Sequence, residues 1–136
     1  MKYIYKIIFP YFFLVGCLNE SPTENNFNKY NGTWIWLKTV GGIGPRVFEP
    51  EDGITTKIRY DGYKIFKILR NDTLKVIGHY KIDEAENGYD IILYSDIITY
   101  NYRYDVDSEF AQISSDSLVV WDGAFDGYFS FYKKIH

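Results

Sequence analysis

From Thr33 onward the chain alternates apolar and polar side chains in short runs, and most runs end on a turn dipeptide. Ile54 to Tyr60 is the clearest case. Ile54, Thr56, Ile58 and Tyr60 share one parity, while Thr55, Lys57 and Arg59 share the other. A period of two places alternate side chains on opposite faces of an extended strand. Asp61-Gly62 then gives a hairpin signal. After Asn71-Asp72 the pattern resumes from Thr73 to Ile82, with Leu74, Val76, Tyr80 and Ile82 set against Lys75, His79 and Lys81. Gly78 falls on the apolar parity of that run, which implies a bend or close packing there.

Further runs are readable at Thr33 to Thr39, Tyr63 to Arg70, Tyr89 to Tyr94, Ile98 to Tyr104, Glu109 to Ser114, Ser117 to Trp121 and Tyr128 to Ile135. Tyr63 to Arg70 mixes parities, so either both its faces are covered or a bulge switches its register. No apolar stripe with a 3.6-residue period appears. Eight or nine short strands joined by short turns predict an all-β sandwich or barrel. An antiparallel up-and-down β-barrel fits best, because nearly every connection is hairpin-like and closure removes exposed edges. The aromatic share of 20%, mainly 14 Tyr and 10 Phe, supports strands, since ring side chains suit a pleated, half-buried surface. At 136 residues the chain holds one such domain.

The first residues read differently. Lys2 and Lys6 precede IIFPYFFLVG, an apolar run of about ten residues, as in the n- and h-regions of a signal peptide. A spanning helix needs about 20 apolar residues. The run ends Leu14-Val15-Gly16-Cys17, which resembles the bacterial lipobox. That resemblance implies cleavage after residue 16 and acylation (a palmitate-type anchor) of Cys17, the one cysteine of the chain. Residues 17–29 then comprise Cys17 and a polar tether, LNESPTENNFNK (18–29), whose ends as a flexible coil lie roughly 20 Å apart. The formal charge of −3 gives no nucleic-acid footprint and little attraction to anionic headgroups, so membrane attachment would rest on acyl chains.

The domain, residues 30–136, begins with Gly32-Thr33-Trp34 and continues GTWIWLKTVGGIGPRVFEP. Later landmarks are YDGYKIF (60–66), GHYKI (78–82), DSLVVWDGAFDGY (116–128) and FYKK (131–134). In this order they resemble the small lipocalin-like lipoproteins of Bacteroidetes-type bacteria, which belong to the calycin-like barrels. The resemblance implies a compact, eight-stranded antiparallel barrel tethered in the bacterial cell envelope, most simply at the outer membrane. It also implies that a basic residue of the last strand, Lys133 or Lys134, packs over Trp34 and closes one barrel end. The chain departs from that pattern between Ser95 and Glu109, where the Tyr-rich segment is longer.

Two stretches are candidates for ligand contact. Gly41-Gly42-Ile43-Gly44 permits positive φ and close backbone approach, as a loop folded over the barrel end or as the lining of a pocket mouth. It lacks the spacing and the Lys-Ser/Thr of a phosphate loop. Tyr100, Tyr102 and Tyr104 form a stripe of one parity, suited to stacking on a flat ligand or to half-burial on a strand. Asp105, Asp107 and Glu109 alternate like the start of a calcium loop, but Phe110 stands where such a loop needs Gly, so a solvated turn is the better reading.

His79 and His136 belong to no local nucleophile motif, and no zinc-type Cys/His cluster exists. The expectation is therefore a non-enzymatic protein without cofactor or metal. Its barrel would bind a small apolar or aromatic ligand. Alternatively it would be a packed scaffold that presents loops to an envelope protein.

Overall fold

In a computed structural model, residues 29–44, 46–84, 87–124 and 126–136 are described. Cys17, the leader at 1–16 and the tether up to residue 28 lie outside them. The described residues form nine antiparallel strands: β1 (Gly32–Gly41), β2 (Arg46–Phe48), β3 (Thr56–Tyr60), β4 (Ile65–Arg70), β5 (Thr73–Glu84), β6 (Asp90–Thr99), β7 (Ser108–Ser114), β8 (Ser117–Trp121) and β9 (Tyr128–Ile135). From β3 to β9 each strand pairs with the next, β3 pairs with β1, and β1 pairs with β9. The result is a closed eight-stranded, antiparallel up-and-down barrel, an arrangement consistent with a calycin-like fold. The short β2 is an additional strand on the distal half of β1, where Val40 faces Val47.

Inward positions follow from register. Trp34 lies opposite Ile58, Ile58 opposite Ile68, and Ile68 opposite Val76. Tyr80 faces Tyr94, Asp90 faces Ala111, Ala111 faces Val120, and Leu118 faces Tyr132. All of these except the partly buried Tyr132 are buried. A register shift in β1 between Trp36 and Lys38 returns Thr39 and Gly41 to the inward side while Lys38 turns out over the Phe131 ring.

The structure corrects the strand assignment around residues 89–104. Two expected strands are one, β6, whose pairing with β5 slips between Ile77 and His79. Asp96 at the slip has a φ of 51°. The chain leaves the ladder after Thr99, so Tyr100, Tyr102 and Tyr104 do not lie on a strand. In β4, Phe66 and Ile68 point in, while Ile65 packs on the outer wall in a shallow groove with Ile77 and Ile98. Both faces of β4 are therefore apolar, and a slip in its pairing with β5 also occurs after Ile68. Gly78 faces Phe66 from β5, and a Cβ there would stand 2.7 Å from the ring.

Candidate functional site

The two barrel ends are closed by different means. At the end where β1 begins, Tyr30 is fully buried and its hydroxyl donates to Asp90 at 2.6 Å. Lys29 pairs with the same carboxylate. The Trp34 indole donates to the Tyr30 carbonyl at 2.9 Å. Lys134 Nζ lies 5.2 Å from the centroid of the Trp34 ring. Lys133 lies one residue away on the outer face, opposite Ile35, so Lys134 takes the position over the tryptophan and Lys133 does not. This end is a sealed floor of rings and paired charges.

At the opposite end the cover is a strap, residues 100–107, which crosses the barrel outside the strand ladder. The Tyr100 amide donates to the Lys75 carbonyl and the Tyr94 amide to the Asp107 carbonyl, both at 2.8 Å, which fixes the two ends of the strap. Between them Tyr102, Tyr104 and Val106 pack onto the core, while Tyr100 remains exposed. A cavity of about 160 Å³ lies beneath, lined by Ile58, Ile68, Tyr102, Tyr104, Val106 and Tyr132, with Lys57, Arg103 and Asp105 at its polar edge.

Behind this cavity the interior becomes polar. Tyr60 of β3, Tyr94 of β6, Glu109 of β7 and Tyr132 of β9 carry inward-facing side chains. The Tyr94 hydroxyl donates to Glu109 Oε2 at 2.9 Å, and the Tyr60 and Tyr94 hydroxyls are 2.8 Å apart. The rings of Tyr94 and Tyr104 meet edge to face at 6.0 Å, and Phe66 lies 4.7 Å from Tyr94. Burial pushes the phenols of Tyr60, Tyr94, Tyr104 and Tyr132 well above their usual value, and the Glu109 carboxylate adds to each shift. Burial likewise raises the Glu109 carboxyl, partly offset by the Tyr94 hydrogen bond.

The spacing of Asp105, Asp107 and Glu109 predicts a solvated turn, and for Glu109 the structure corrects this. It is an inward residue on the parity of Ala111 and Ile113, and Val106 packs on the core. Asp105 and Asp107 are exposed as expected of a turn. The signal for Glu109 was present in EFAQI, where Glu109, Ala111 and Ile113 alternate. It was obscured because Phe110, the most apolar residue there, faces outward.

The Gly41–Gly44 loop stands elsewhere, against the β8–β9 connection. Gly41 has a φ of 154°, and a Cβ on it would meet the Gly127 carbonyl at 2.2 Å. The Gly42 amide donates to the Asp126 carbonyl at 3.2 Å. An open cleft of about 350 Å³ lies between the loops, bordered by Gly42, Ile43, Arg46, Asp122, Asp126 and Tyr128. Ile43 projects almost wholly into solvent at the rim of the cleft. The loop glycines and the Tyr102–Tyr104 pair thus belong to two separate concavities.

On the outer wall a row of apolar residues crosses six strands: Ile91, Phe110, Trp121, Phe129, Val40 and Val47 are successive cross-strand partners. Trp121 stacks between Phe110 and Phe129, with centroids at 5.7 and 5.8 Å. His79 also lies outside, 3.3 Å from Asp96 and largely exposed. Among the described residues no group of three His, Cys, Asp or Glu side chains is placed to hold a metal ion. Comparisons with protein-family models, with curated proteins and with solved structures find no match.

Proposed function

We propose that the protein is a non-enzymatic, lipid-anchored lipoprotein of the bacterial cell envelope whose barrel carries a small, largely aromatic ligand. The observation that carries this reading is the difference between the barrel ends. One is sealed by buried rings and an ion pair. The other is covered by a strap outside the ladder, with a cavity beneath it and phenols converging behind it. Apolar concavities with a few converging polar groups are the usual form of small-molecule sites, and barrel mouths are a usual place for them. The anchor rests on the lipobox-like Leu14 to Cys17 and the tether that follows.

Native mass spectrometry of the chain purified from its own host tests ligand carriage. A reproducible small-molecule adduct is expected, and a ligand-free species throughout would refute it. For the anchor, Cys17→Ser is expected to release the chain from the membrane fraction and abolish acyl labelling.

One observation favours a second reading, docking to an envelope protein. The row from Ile91 to Val47 leaves Phe129 and Val47 substantially exposed beside the stacked Trp121. Contiguous apolar surface of this kind marks interaction sites. Co-purification of a protein that is lost on Trp121→Ser and Phe129→Ser would favour this reading over the first.

A further inference from the structure

Among the described residues, two acidic side chains, Asp90 and Glu109, face the barrel interior, and their surroundings differ. Asp90, in the floor, has the Lys29 ammonium as an ion-pair partner and the Tyr30 hydroxyl as a donor. Glu109, in the upper chamber, accepts from Tyr94, but among the described residues no basic side chain pairs with it. A carboxylate withdrawn from water is ordinarily paired with a cation or held neutral. The neighbours of Glu109 are instead the phenols Tyr60, Tyr94, Tyr104 and Tyr132. Their ring faces carry the negative end of the aromatic quadrupole, which attracts cations.

We infer that Glu109 and these tyrosines form a recognition site for a small aromatic amine, with the ammonium directed at the Glu109 carboxylate and the ring in the cavity beneath the strap. This rests on the ligand-carrying reading above and narrows it to a chemical class. Tyr104 and Tyr132 connect the two halves of the site, because they line the cavity and also stand within electrostatic reach of Glu109. The perpendicular rings of Tyr94 and Tyr104 make two walls of a box. At about 160 Å³ the cavity matches one that takes a benzene ring. Its two basic residues have carboxylate partners of their own: Lys57 pairs with Asp72 at 2.9 Å and Arg103 with Asp105 at 3.2 Å. They therefore offer a bound anion little, whereas the carboxyl without a basic partner among the described residues is the inward-facing Glu109.

The test is calorimetric titration of the full-length chain in detergent with 2-phenylethylamine and, separately, with 3-phenylpropionate, which has a similar body and the opposite charge. The amine is expected to bind at least about tenfold more tightly than the acid, the loss expected when a charge-assisted hydrogen bond is removed. Glu109→Gln, which keeps an acceptor for Tyr94, is expected to weaken the amine by about the same factor. Equal or tighter binding of the acid, binding of neither, or unchanged amine affinity in a folded Glu109→Gln variant would overturn the assignment. The wild-type comparison decides the matter even where the variant does not fold. A neutral or anionic adduct from the host would overturn the amine assignment and leave ligand carriage standing. An empty barrel in that experiment together with no binding of either probe would end both.

Discussion

A Cβ placed on Gly32 would stand 2.8 Å from Cε of Lys134. The glycine at the start of β1 therefore leaves the channel through which the lysine stem reaches the Trp34 ring. Gly32 also has a φ of 129°, a backbone region that side-chain-bearing residues rarely adopt. Gly32, Trp34 and Lys134 act as one unit that seals the floor.

Gly32→Ala is expected to cost about 1–3 kcal/mol, from the strained backbone and from displacing Lys134 off the indole. Urea unfolding midpoints measure this. An Ala variant as stable as wild type would show that the lysine stem moves aside freely.

Trp34→Ala removes the largest fully buried side chain of the barrel together with its hydrogen bond to the Tyr30 carbonyl. The expected loss is about 3–5 kcal/mol. Lys134→Met keeps the stem and removes the charge, so it should cost much less, about 0.5–1 kcal/mol. Similar losses in the two variants would mean that the cation, and not packing, dominates the floor.

Gly78→Ala puts a methyl group 2.7 Å from the Phe66 ring and 2.9 Å from the Ser95 carbonyl. Overpacking of this kind costs about 1–3 kcal/mol. Phe66→Leu in the same chain is expected to recover part of the loss, and a double-mutant cycle reads the coupling directly.

Stability should depend on pH through Glu109. Burial, with a smaller push from Asp122, raises its carboxyl above the ordinary value of 4.5. The folded chain then holds this proton at pH values where the unfolded chain has released it, so stability falls as pH rises from 4.5 through the raised value. The neighbouring phenols stay protonated there, because their own values are raised from 10.0. Glu109→Gln is expected to match wild type at about pH 4 and to exceed it at neutral pH, by the linkage of proton binding to folding. Equal stability of the two chains across that range would place the Glu109 carboxylate in effective contact with water.

Architecture was legible in the sequence wherever extended backbone and paired backbone coincide. In β3 and β5 the alternation of Ile58 and Tyr60, or of Val76, Tyr80 and Ile82, reports the inward face directly. The same alternation misleads at Tyr100, Tyr102, Tyr104 and Val106. A period of two requires an apolar surface on one side but not strand pairing. Tyr102, Tyr104 and Val106 pack on the core from a segment that is not a strand, while Tyr100, before Asn101 with its φ of 49°, stays exposed. The slip at Asp96 hid the continuity of β6, because one extra residue exchanges the parities on either side of it. At β2 three exposed residues carry no periodicity to read. Glu109 was hidden by another cause: an inward carboxylate and outward rings reverse the usual rule, and Phe110 faces out because Trp121 offers it a stacking partner.

Closure between β1 and β9 joins residues about a hundred positions apart, from Thr33 with Ile135 to Gly41 with Tyr128. Every other pairing in the ring links strands much nearer in sequence. Loop-closure entropy makes so distant a contact slow to form, so the seam is expected to be the late event of folding. Until β9 arrives, β1 and β8 each present an unpaired edge, which is the form of the chain most open to association with its own copies. A newly made chain would be at greatest risk in that interval, and shortening β9 should raise aggregation more than an equal loss from the strap.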